Sequence, residues 1–283
     1  MTGKAISLFL IDGVPDGRVA CELFNWTGKG YKIPRNWLKP STDREELHKP
    51  GIYFLVGRDE ARAESNLVYI GEAEDVHKRI TQHIGEDFWH EVLLFISKDE
   101  NLNKAHIKFL EYEVFSEAQR ASRYKLVNKN TPTRPGISEL EQAVMSEFLE
   151  HLQLLVGAMG YKIFEPLRGD TQPASEIRKY FIKGTRGADA QAIITSEGIV
   201  VLQGSAAADS VVRSTPKSTR NLRRQLEQDE IMLKIEGKLI FQEDYLFSSP
   251  SSAASVVLGR SANGLIEWKD VEGRVLKESE GWR

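Results

Sequence analysis

The sequence predicts an α+β protein: a small mixed or antiparallel sheet flanked by helices, followed by a separate C-terminal α+β domain. Two strand-like runs at residues 51–57 and 67–71 are separated by a charged stretch without apolar periodicity, a pattern typical of paired strands joined by a loop. A segment of helical spacing follows at residues 75–83. The composition of residues 166–175, with Pro166, Gly169 and Pro173, indicates a linker between the two domains.

These patterns divide the chain into five segments. We expect an N-terminal β-rich module at residues 1–47, a central domain at 48–132, a packing helix and connector at 137–165, the linker at 166–175 and a C-terminal domain at 176–283.

Within the N-terminal module, residues 7–11 and 19–26 have the pattern of a hairpin. Aromatic and basic residues alternate in the next stretch, around Trp26, Tyr31 and Trp37. Such a mixture could stack on and clamp a nucleic acid. We favour the alternative that the tryptophans form the core of a small β-module, because buried aromatic residues dominate small cores.

Residues 138–159 predict a helix capped by Ser138. Its apolar residues recur at helical spacing, and they are Leu140, Val144, Phe148, Leu152 and Leu155. We expect this stripe to pack onto the preceding domain rather than to form a dimer interface.

In the C-terminal domain, residues 191–195 and 199–203 predict a hairpin. A basic segment at residues 213–228 has helical spacing from Ser218 onward. Further strands are expected at residues 233–235 and 239–242. Ser249 followed by Pro250 is typical of a helix start, and residues 263–269 with 273–276 predict a closing strand pair.

Composition restricts the class of protein. The chain has 283 residues, a net charge of −3 and one cysteine, Cys21, so a disulfide framework is excluded and a reducing compartment is indicated. The apolar run at residues 5–11 is too short to span a membrane. We therefore expect a cytoplasmic protein without membrane contact, in which any contact with nucleic acid depends on local basic clusters.

The most informative pattern is the order of two short motifs and a helix. Gly51-Ile52-Tyr53 and Tyr69-Ile70-Gly71 lie on consecutive predicted strands, and the helix that follows carries Arg79 and His83 on one face. Paired as a hairpin, these strands can bring both phenols to one polar face.

In this order the residues resemble the GIY-YIG endonuclease family, over roughly residues 48–132. The resemblance extends to Glu111 in a later helical segment and to Asn128 in residues 126–130. It implies DNA as the partner, no small-molecule cofactor, and a catalytic set composed of Tyr53, Tyr69, Arg79, His83, Glu111 and Asn128.

The resemblance also implies a role for each of these residues. The two tyrosines would orient water and phosphate, Arg79 would bind a phosphate oxygen, and His83 could relay a proton. Glu111 would hold a single Mg²⁺ (or Mn²⁺), with water and phosphate completing the shell. Asn128 would bond a DNA phosphate or fix the loop beside Glu111.

The C-terminal part is similar to an uncharacterised domain that recurs behind GIY-YIG domains, and to a module beside restriction and methylation enzymes that is proposed to read modified DNA. The matching residues are Gly204-Ser205, the segment from Ser249 to Ala254, Asn263-Gly264 and Trp268. We expect DNA contact here through a basic cluster and one aromatic residue, namely Arg213, Lys217, Arg220, Arg223, Arg224 and Trp268; the alternative for the basic cluster is a solvated helix face.

We therefore expect a metal-dependent endonuclease with a C-terminal domain that recognises DNA. The alternative is a non-catalytic nucleic-acid-binding protein that retains the fold. The acidic residues Glu72, Glu74 and Asp75 directly after the second motif favour this alternative, because carboxylates repel phosphate.

Overall fold

The chain folds into two units, Met1–Glu165 and Pro166–Arg283. The structure is a computed structural model, and it describes residues 3–58, 66–167, 178–195 and 197–279. Each unit contains a sheet with helices, so the predicted α+β class with a separate C-terminal domain is confirmed. The loop between the two tyrosine-bearing strands and most of the predicted linker lie outside the described residues.

Seven strands of the described residues form the sheet of the first unit. They are β1 (Ile6–Leu10), β2 (Val19–Leu23), β3 (Gly28–Pro34), β4 (Gly51–Arg58), β5 (Asn66–Ala73), β6 (Trp89–Ser97) and β7 (Lys125–Leu126). Their order across the sheet is β1-β2-β3-β6-β4-β5-β7. Neighbouring strands are antiparallel except β5 and β7, which run parallel.

Three of the four α-helices described in this unit begin at a side chain that accepts hydrogen bonds from free amide groups. The four helices are α1 (Arg35–Leu38), α2 (Val76–Gln82), α3 (Lys104–Ala121) and α4 (Glu139–Ala158). Asp75 caps α2, Asn103 caps α3 and Ser138 caps α4, where Glu141 completes a capping box. The predicted helix at 138–159 and its cap are therefore confirmed.

The predicted division between an N-terminal module and a central domain is wrong. Strand β3 pairs with β6 along its whole length, from Gly28 opposite Ser97 to Pro34 opposite Glu91. The hairpin of β1 and β2 is thereby part of the same sheet as the tyrosine-bearing strands. Local patterns predicted β1, β2, β4 and β5, but neither β3 nor β6 was predicted. The pairing of β3 with β6 joins residues about sixty positions apart, which only the folded chain brings together.

The tryptophans and Tyr31 of the N-terminal segment pack against the cores of the first unit, Trp37 being only partly buried. Tyr31 is fully buried, and Trp26 packs against Phe148 of α4 with ring centroids 4.9 Å apart. The basic residues between them are also engaged within the protein: the Arg35 guanidinium, for example, lies over the ring of Trp89. The core interpretation of this segment is confirmed.

Strand β4 separates two apolar layers. Ile52 and Phe54 point to a cluster that includes residues of α3 and α4, whereas Tyr53 and Leu55 point to a cluster that includes Val76 of α2. The alternation follows from strand geometry. It places Tyr53 beneath α2, the helix that carries Arg79.

Helix α4 packs through only part of its predicted stripe. Phe148, Leu152 and Leu155 are buried as expected, but Leu140 and Val144 are 76% and 53% exposed. The buried face instead includes Met145 and Leu149, so the contact with the core begins about one and a half turns after the helix start.

The second unit has its own sheet and core. Its strands are β8 (Lys179–Lys183), β9 (Asp189–Thr195), β10 (Gly198–Val201), β11 (Ala206–Ala207), β12 (Met232–Ile235), β13 (Lys238–Phe241) and β14 (Tyr245–Phe247). They are arranged in the order β12-β13-β11-β9-β10-β14, and β8 pairs with β9. The helices are α5 (Lys217–Gln228), α6 (Pro250–Leu258) and α7 (Gly264–Glu267). The predicted hairpin of β9 and β10 is confirmed, as is the helix start at Ser249, whose side chain accepts a hydrogen bond from the Ser252 amide.

The predicted strand at residues 263–269 is wrong over most of its length. Asn263 caps the short helix α7 by accepting a hydrogen bond from the Leu265 amide at 3.1 Å. Lys269 alone pairs in a strand-like manner, as isolated bridges to Phe181 and Val275. Asn263 and Gly264, at the start of the predicted strand, begin a helix instead, since asparagine is a favoured helix N-cap.

No helix in the described parts of the chain combines the length and the apolar character needed to cross a membrane.

Candidate active site

The first residue of the candidate site, Tyr53, is fully buried on the α2 side of β4. It pairs across the sheet with Gly71 of β5. A Cβ atom at Gly71 would lie 2.5 Å from both Cζ and Oη of Tyr53, closer than any normal contact. The glycine of the second motif therefore provides the space into which the phenol of the first motif lies.

Tyr69 precedes Gly71 by two residues and shares its face of the sheet. Its ring is stacked on that of Tyr53, with centroids 6.1 Å apart and an angle of 29° between the planes. Tyr69 is half-buried, whereas Tyr53 is not accessible to solvent. Of the two phenols, Tyr69 is thus the one that a water molecule can reach.

His83, the residue at the C-terminal end of α2, completes a chain of polar contacts. Its Nε2 atom lies 3.1 Å from Oη of Tyr53, and its ring centroid is 4.8 Å from that of Tyr69. The side chain is 7% exposed. The structure therefore brings the two tyrosines and the histidine together in one compact group.

Arg79 lies one turn before His83 and is exposed. Its guanidinium donates to Oε1 of Gln82 at 2.7 Å, and it also interacts with both phenols. Burial raises the pKa of the Tyr53 phenol far above its usual value, and Tyr69 raises it further, while the positive charge of Arg79 opposes both effects. Tyr53 accordingly remains protonated over the whole physiological range.

Glu111 lies on α3, on the other side of β5. Burial raises the pKa of its carboxyl to about 7, the nearby charge of Glu72 acts in the same direction, and Lys104, Lys108 and Arg79 oppose them. The charge of Arg79 thus acts on Glu111 as well as on the two tyrosines.

The acidic residues after the second motif have partners in the first unit. Lys104 donates to Glu72 at 2.9 Å. Asp75 accepts a hydrogen bond from the Lys78 amide as the cap of α2 and lies 3.1 Å from Nδ1 of His48. Glu74 is exposed, 3.9 Å from the Lys104 ammonium. Two of these three carboxylates are therefore held by the fold instead of facing a ligand as free charges.

The side chain of Asn128 forms hydrogen bonds with the backbone of β5. Its Oδ1 atom accepts a hydrogen bond from the Ile70 amide at 3.0 Å, and its Nδ2 donates to the Ile70 carbonyl at 2.7 Å. The side chain imitates a further strand residue beside β5, just after β7. Of the two roles considered for Asn128, this geometry fits the one that fixes the loop.

A divalent cation would fit beside Glu111. A carboxyl whose pKa is raised by burial and by a neighbouring carboxylate is one whose ionised form a cation would stabilise. Mg²⁺ prefers one or two carboxylates together with water and phosphate oxygens, and Glu111 supplies one carboxylate. Among the described residues, no group of three or more His, Cys, Asp or Glu forms a fuller ligand set.

In the second unit, the structure separates the predicted DNA-contacting residues into two kinds. Arg213, Lys217 and Arg224 are exposed. Arg220 is half-buried, because its guanidinium donates to the carbonyls of Thr215 and Arg213 at 2.9 and 2.5 Å.

Two of the predicted contacts are wrong. Arg223 is 4% exposed, donates to the carbonyls of Val256 and Ala208, and has a pKa lowered by burial. Trp268 is fully buried, and its Nε1 donates to the Pro250 carbonyl at 3.1 Å. Neither side chain is available to phosphate or to a base, because both hold α6 in place.

The sequence analysis missed Glu86, whose Oε1 atom lies 3.1 Å from Nδ1 of His83. The only signal was its position three residues after His83. The Trp89 indole also donates to the His83 carbonyl at 3.0 Å. These contacts lie in the turn after α2, for which local sequence pattern predicted no structure.

Comparison with known proteins found a family match for the second unit. A family model described as a domain of unknown function, DUF4357, matches residues 180–280. No GIY-YIG family model matches, and no curated protein and no solved structure matches the chain. The predicted C-terminal domain of unknown function is therefore supported, while the nuclease resemblance of the first unit rests on its own residues.

Proposed function

We propose that the first unit is a metal-dependent endonuclease that hydrolyses phosphodiester bonds of DNA in the cytoplasm. One observation carries the proposal: Tyr53, Tyr69 and His83 form one contact group, and the charge of Arg79 acts both on its phenols and on Glu111. Strands β4 and β5 and helix α2 supply the contact group and Arg79, and helix α3 supplies Glu111, so that the proposed site draws on several elements, as phosphoryl-transfer sites do.

Arg79 is the residue suited to bind the phosphate. Its guanidinium is exposed and permanently charged, and a planar fork of donors matches two phosphoryl oxygens. Lys104 and Lys108 add positive charge on α3, near Glu111. The Lys104 ammonium also pairs with Glu72 of β5, which offsets the negative charge of that residue.

The two phenols have different parts in activating water. Tyr69 is half-buried and can contact the attacking water, whereas Tyr53 lies behind it, closed to solvent. Because burial keeps Tyr53 protonated, this residue acts by passing protons on, and His83 at 3.1 Å is the acceptor in reach.

Glu111 would hold the Mg²⁺ or Mn²⁺ ion. When bound, such an ion supplies charge stabilisation to the phosphoryl oxygens. The contributions of the chain itself are the carboxylate of Glu111, the phosphate contact of Arg79 and the closed edge of β5 that Asn128 maintains.

The alternative is a non-catalytic nucleic-acid-binding protein. The acidic residues after Gly71 favoured it. That support is reduced because Asp75 is engaged as a helix cap and Glu72 is paired with Lys104. The full burial of Tyr53 is the observation that still favours the alternative.

The second unit would contribute DNA contact through Arg213, Lys217 and Arg224, the exposed members of its basic segment. Contacts of these residues with phosphate carry no sequence information. They would therefore position DNA rather than select a sequence.

The test is a cleavage assay on supercoiled, nicked, branched and modified DNA, with Mg²⁺, with Mn²⁺ and with chelator. We expect metal-dependent cleavage by the wild type and a loss of about a hundredfold or more in Arg79→Ala and Glu111→Gln. Lys78→Ala and Glu113→Gln, on the same two helices, are the matched controls and should cut normally. Binding without cleavage on every substrate would replace the nuclease proposal by the alternative.

A further inference from the structure

Glu86 contacts the histidine of the candidate site from the side opposite Tyr53. Oε1 of Glu86 lies 3.1 Å from Nδ1 of His83, while Nε2 of the same ring lies 3.1 Å from Oη of Tyr53. An ionised carboxylate can only accept a hydrogen bond, so Nδ1 must carry the proton. In the neutral imidazole, Nε2 then has a free lone pair that accepts a hydrogen bond from the Tyr53 hydroxyl.

The turn that carries Glu86 is held by side chains from outside α2. The Arg35 guanidinium donates to the carbonyls of Ile84, Glu86 and Trp89 at 2.5, 2.7 and 2.9 Å. It also lies 4.8 Å from the centre of the Trp89 ring, and the indole N–H of Trp89 donates to the backbone carbonyl of His83. The backbone on both sides of the imidazole is therefore fixed, and the ring has little freedom to turn.

The polar neighbours of His83 are arranged in a line. The ring of Tyr69 is stacked on that of Tyr53, Tyr53 contacts Nε2, and Glu86 contacts Nδ1. Arg79 is the cation near the phenols. Its charge disfavours a second positive charge at the Tyr53 end of the line. The carboxylate of Glu86 is the only acidic side chain that the described structure places against the imidazole, and it compensates a proton taken up there.

We propose that Glu86 is a positioning residue that holds His83 as the Nδ1–H tautomer, so that Tyr69, Tyr53 and His83 form a proton relay. This inference rests on the proposed nuclease function. The arrangement corresponds to a nucleophile, a base and a carboxylate that orients the base. Water is the nucleophile here.

In the relay, the oxygen of a water molecule forms a bond to phosphorus as its proton moves to Oη of Tyr69. The Tyr69 proton moves to Oη of Tyr53, and the Tyr53 proton moves to Nε2 of His83. The bond from phosphorus to the 3′-oxygen breaks with its electron pair on oxygen, which takes a proton from solvent. His83 afterwards releases its extra proton to solvent, and both phenols are again protonated.

The test compares Glu86→Ala and Glu86→Gln with Asp87→Ala. Asp87 is the neighbouring carboxylate in the same turn, has a fully exposed side chain and lies 3.6 Å from Nη2 of Arg35, so its removal controls for the loss of a carboxylate from this turn. Two quantities are measured: the cleavage rate, and the protonation of the two His83 ring nitrogens by ¹⁵N NMR, assigned by comparison with His83→Asn.

We expect Glu86→Ala to cut at least about tenfold more slowly, within the range that a positioned base contributes, and to shift the His83 proton from Nδ1 toward Nε2. Glu86→Gln retains an acceptor and should keep the tautomer, with an intermediate rate because the negative charge is lost. Asp87→Ala should match the wild type in both measurements.

A wild-type tautomer or a wild-type rate in Glu86→Ala would overturn the proposal. If the wild type itself cuts no DNA, the nuclease function fails and the relay fails with it. The NMR measurement separates the two cases, because the His83 tautomer in Glu86→Ala reports directly on whether Glu86 positions the ring.

Discussion

A Cβ atom on Gly71 would lie 2.5 Å from Oη and Cζ of Tyr53. The glycine of the second motif and the tyrosine of the first are therefore one steric unit across strands β4 and β5. This relation explains in physical terms why the two motifs occur together.

Gly71→Ala should consequently displace the Tyr53 phenol from its contact with His83. We expect the free energy of unfolding to fall by about 1–3 kcal/mol, as for other overpacked cores, and DNA cleavage to be lost. Chemical denaturation and the cleavage assay measure the two effects. Gly85→Ala is the control, since a Cβ at Gly85 would meet no atom within 4 Å; equal effects of the two substitutions would show that the Gly71 contact has no special role.

The second prediction concerns the acid side of the pH profile. Glu111 has a pKa raised to about 7, first by burial and then by Glu72, and a carboxyl is protonated below its pKa. At metal concentrations below saturation, cleavage should therefore decline as the pH falls below about 7. Glu72→Gln removes the neighbouring charge, so it should lower the pKa of Glu111 and move the decline to lower pH.

The matched control for Glu72→Gln is Glu74→Gln, which removes a carboxylate that is 69% exposed from the same stretch of chain. Its profile should coincide with that of the wild type. If cleavage by Glu72→Gln declines at the same pH as cleavage by the wild type, protonation of Glu111 does not set the acid side of the pH profile.

The third prediction concerns stability of the second unit. Arg223→Ala removes the donor from the buried carbonyls of Val256 and Ala208, and buried acceptors without donors are costly. We expect a loss of about 2–4 kcal/mol in the free energy of unfolding, measured by denaturant titration. The exposed neighbour Arg224→Ala should change stability by no more than about 0.5 kcal/mol; similar losses for both would contradict the structural role of Arg223.

The fourth prediction concerns DNA binding by the full chain. Replacing Arg213, Lys217 and Arg224 together by alanine should weaken binding equally for different DNA sequences. It should also reduce the slope of log affinity against log salt concentration by about 0.9 for each lost phosphate contact. Fluorescence anisotropy at several salt concentrations measures both.

Alanine at Lys234, Lys238 and Lys277 is the control for this change, because these exposed lysines lie on other elements of the same unit. If the two triple variants have the same affinity and the same salt slope, the basic segment makes no specific contact and is a solvated face.

The sequence was sufficient for the elements whose signals are local. Ser138 with Glu141 and Ser249 with Pro250 start helices as predicted, because a capping side chain satisfies amides only two or three residues away. The hairpin of β9 and β10 is likewise determined by neighbouring residues. The same applies to the order of Tyr53, Tyr69 and Arg79 along two strands and a helix.

Residues with identical local patterns nevertheless have different environments. Arg223 and Arg224 are adjacent in a basic helical segment, yet one is buried against α6 and the other is exposed. By sequence, Trp268 is equally compatible with an exposed residue that stacks on a base, but its indole lies in the core. Which side of a helix is covered depends on the elements that pack on it, and these are distant in the chain.

The sequence by itself determined the α+β class, most of the strands and helices, and the order of the residues that resemble a nuclease site. The tertiary structure alone decided that residues 1–47 share the sheet of the tyrosines, that Tyr53 is closed to solvent, and that Glu86 contacts His83. The physical reason is the range of the interactions: capping, alternation and helical period act over a few residues, whereas strand pairing and burial depend on contacts between residues far apart in the chain.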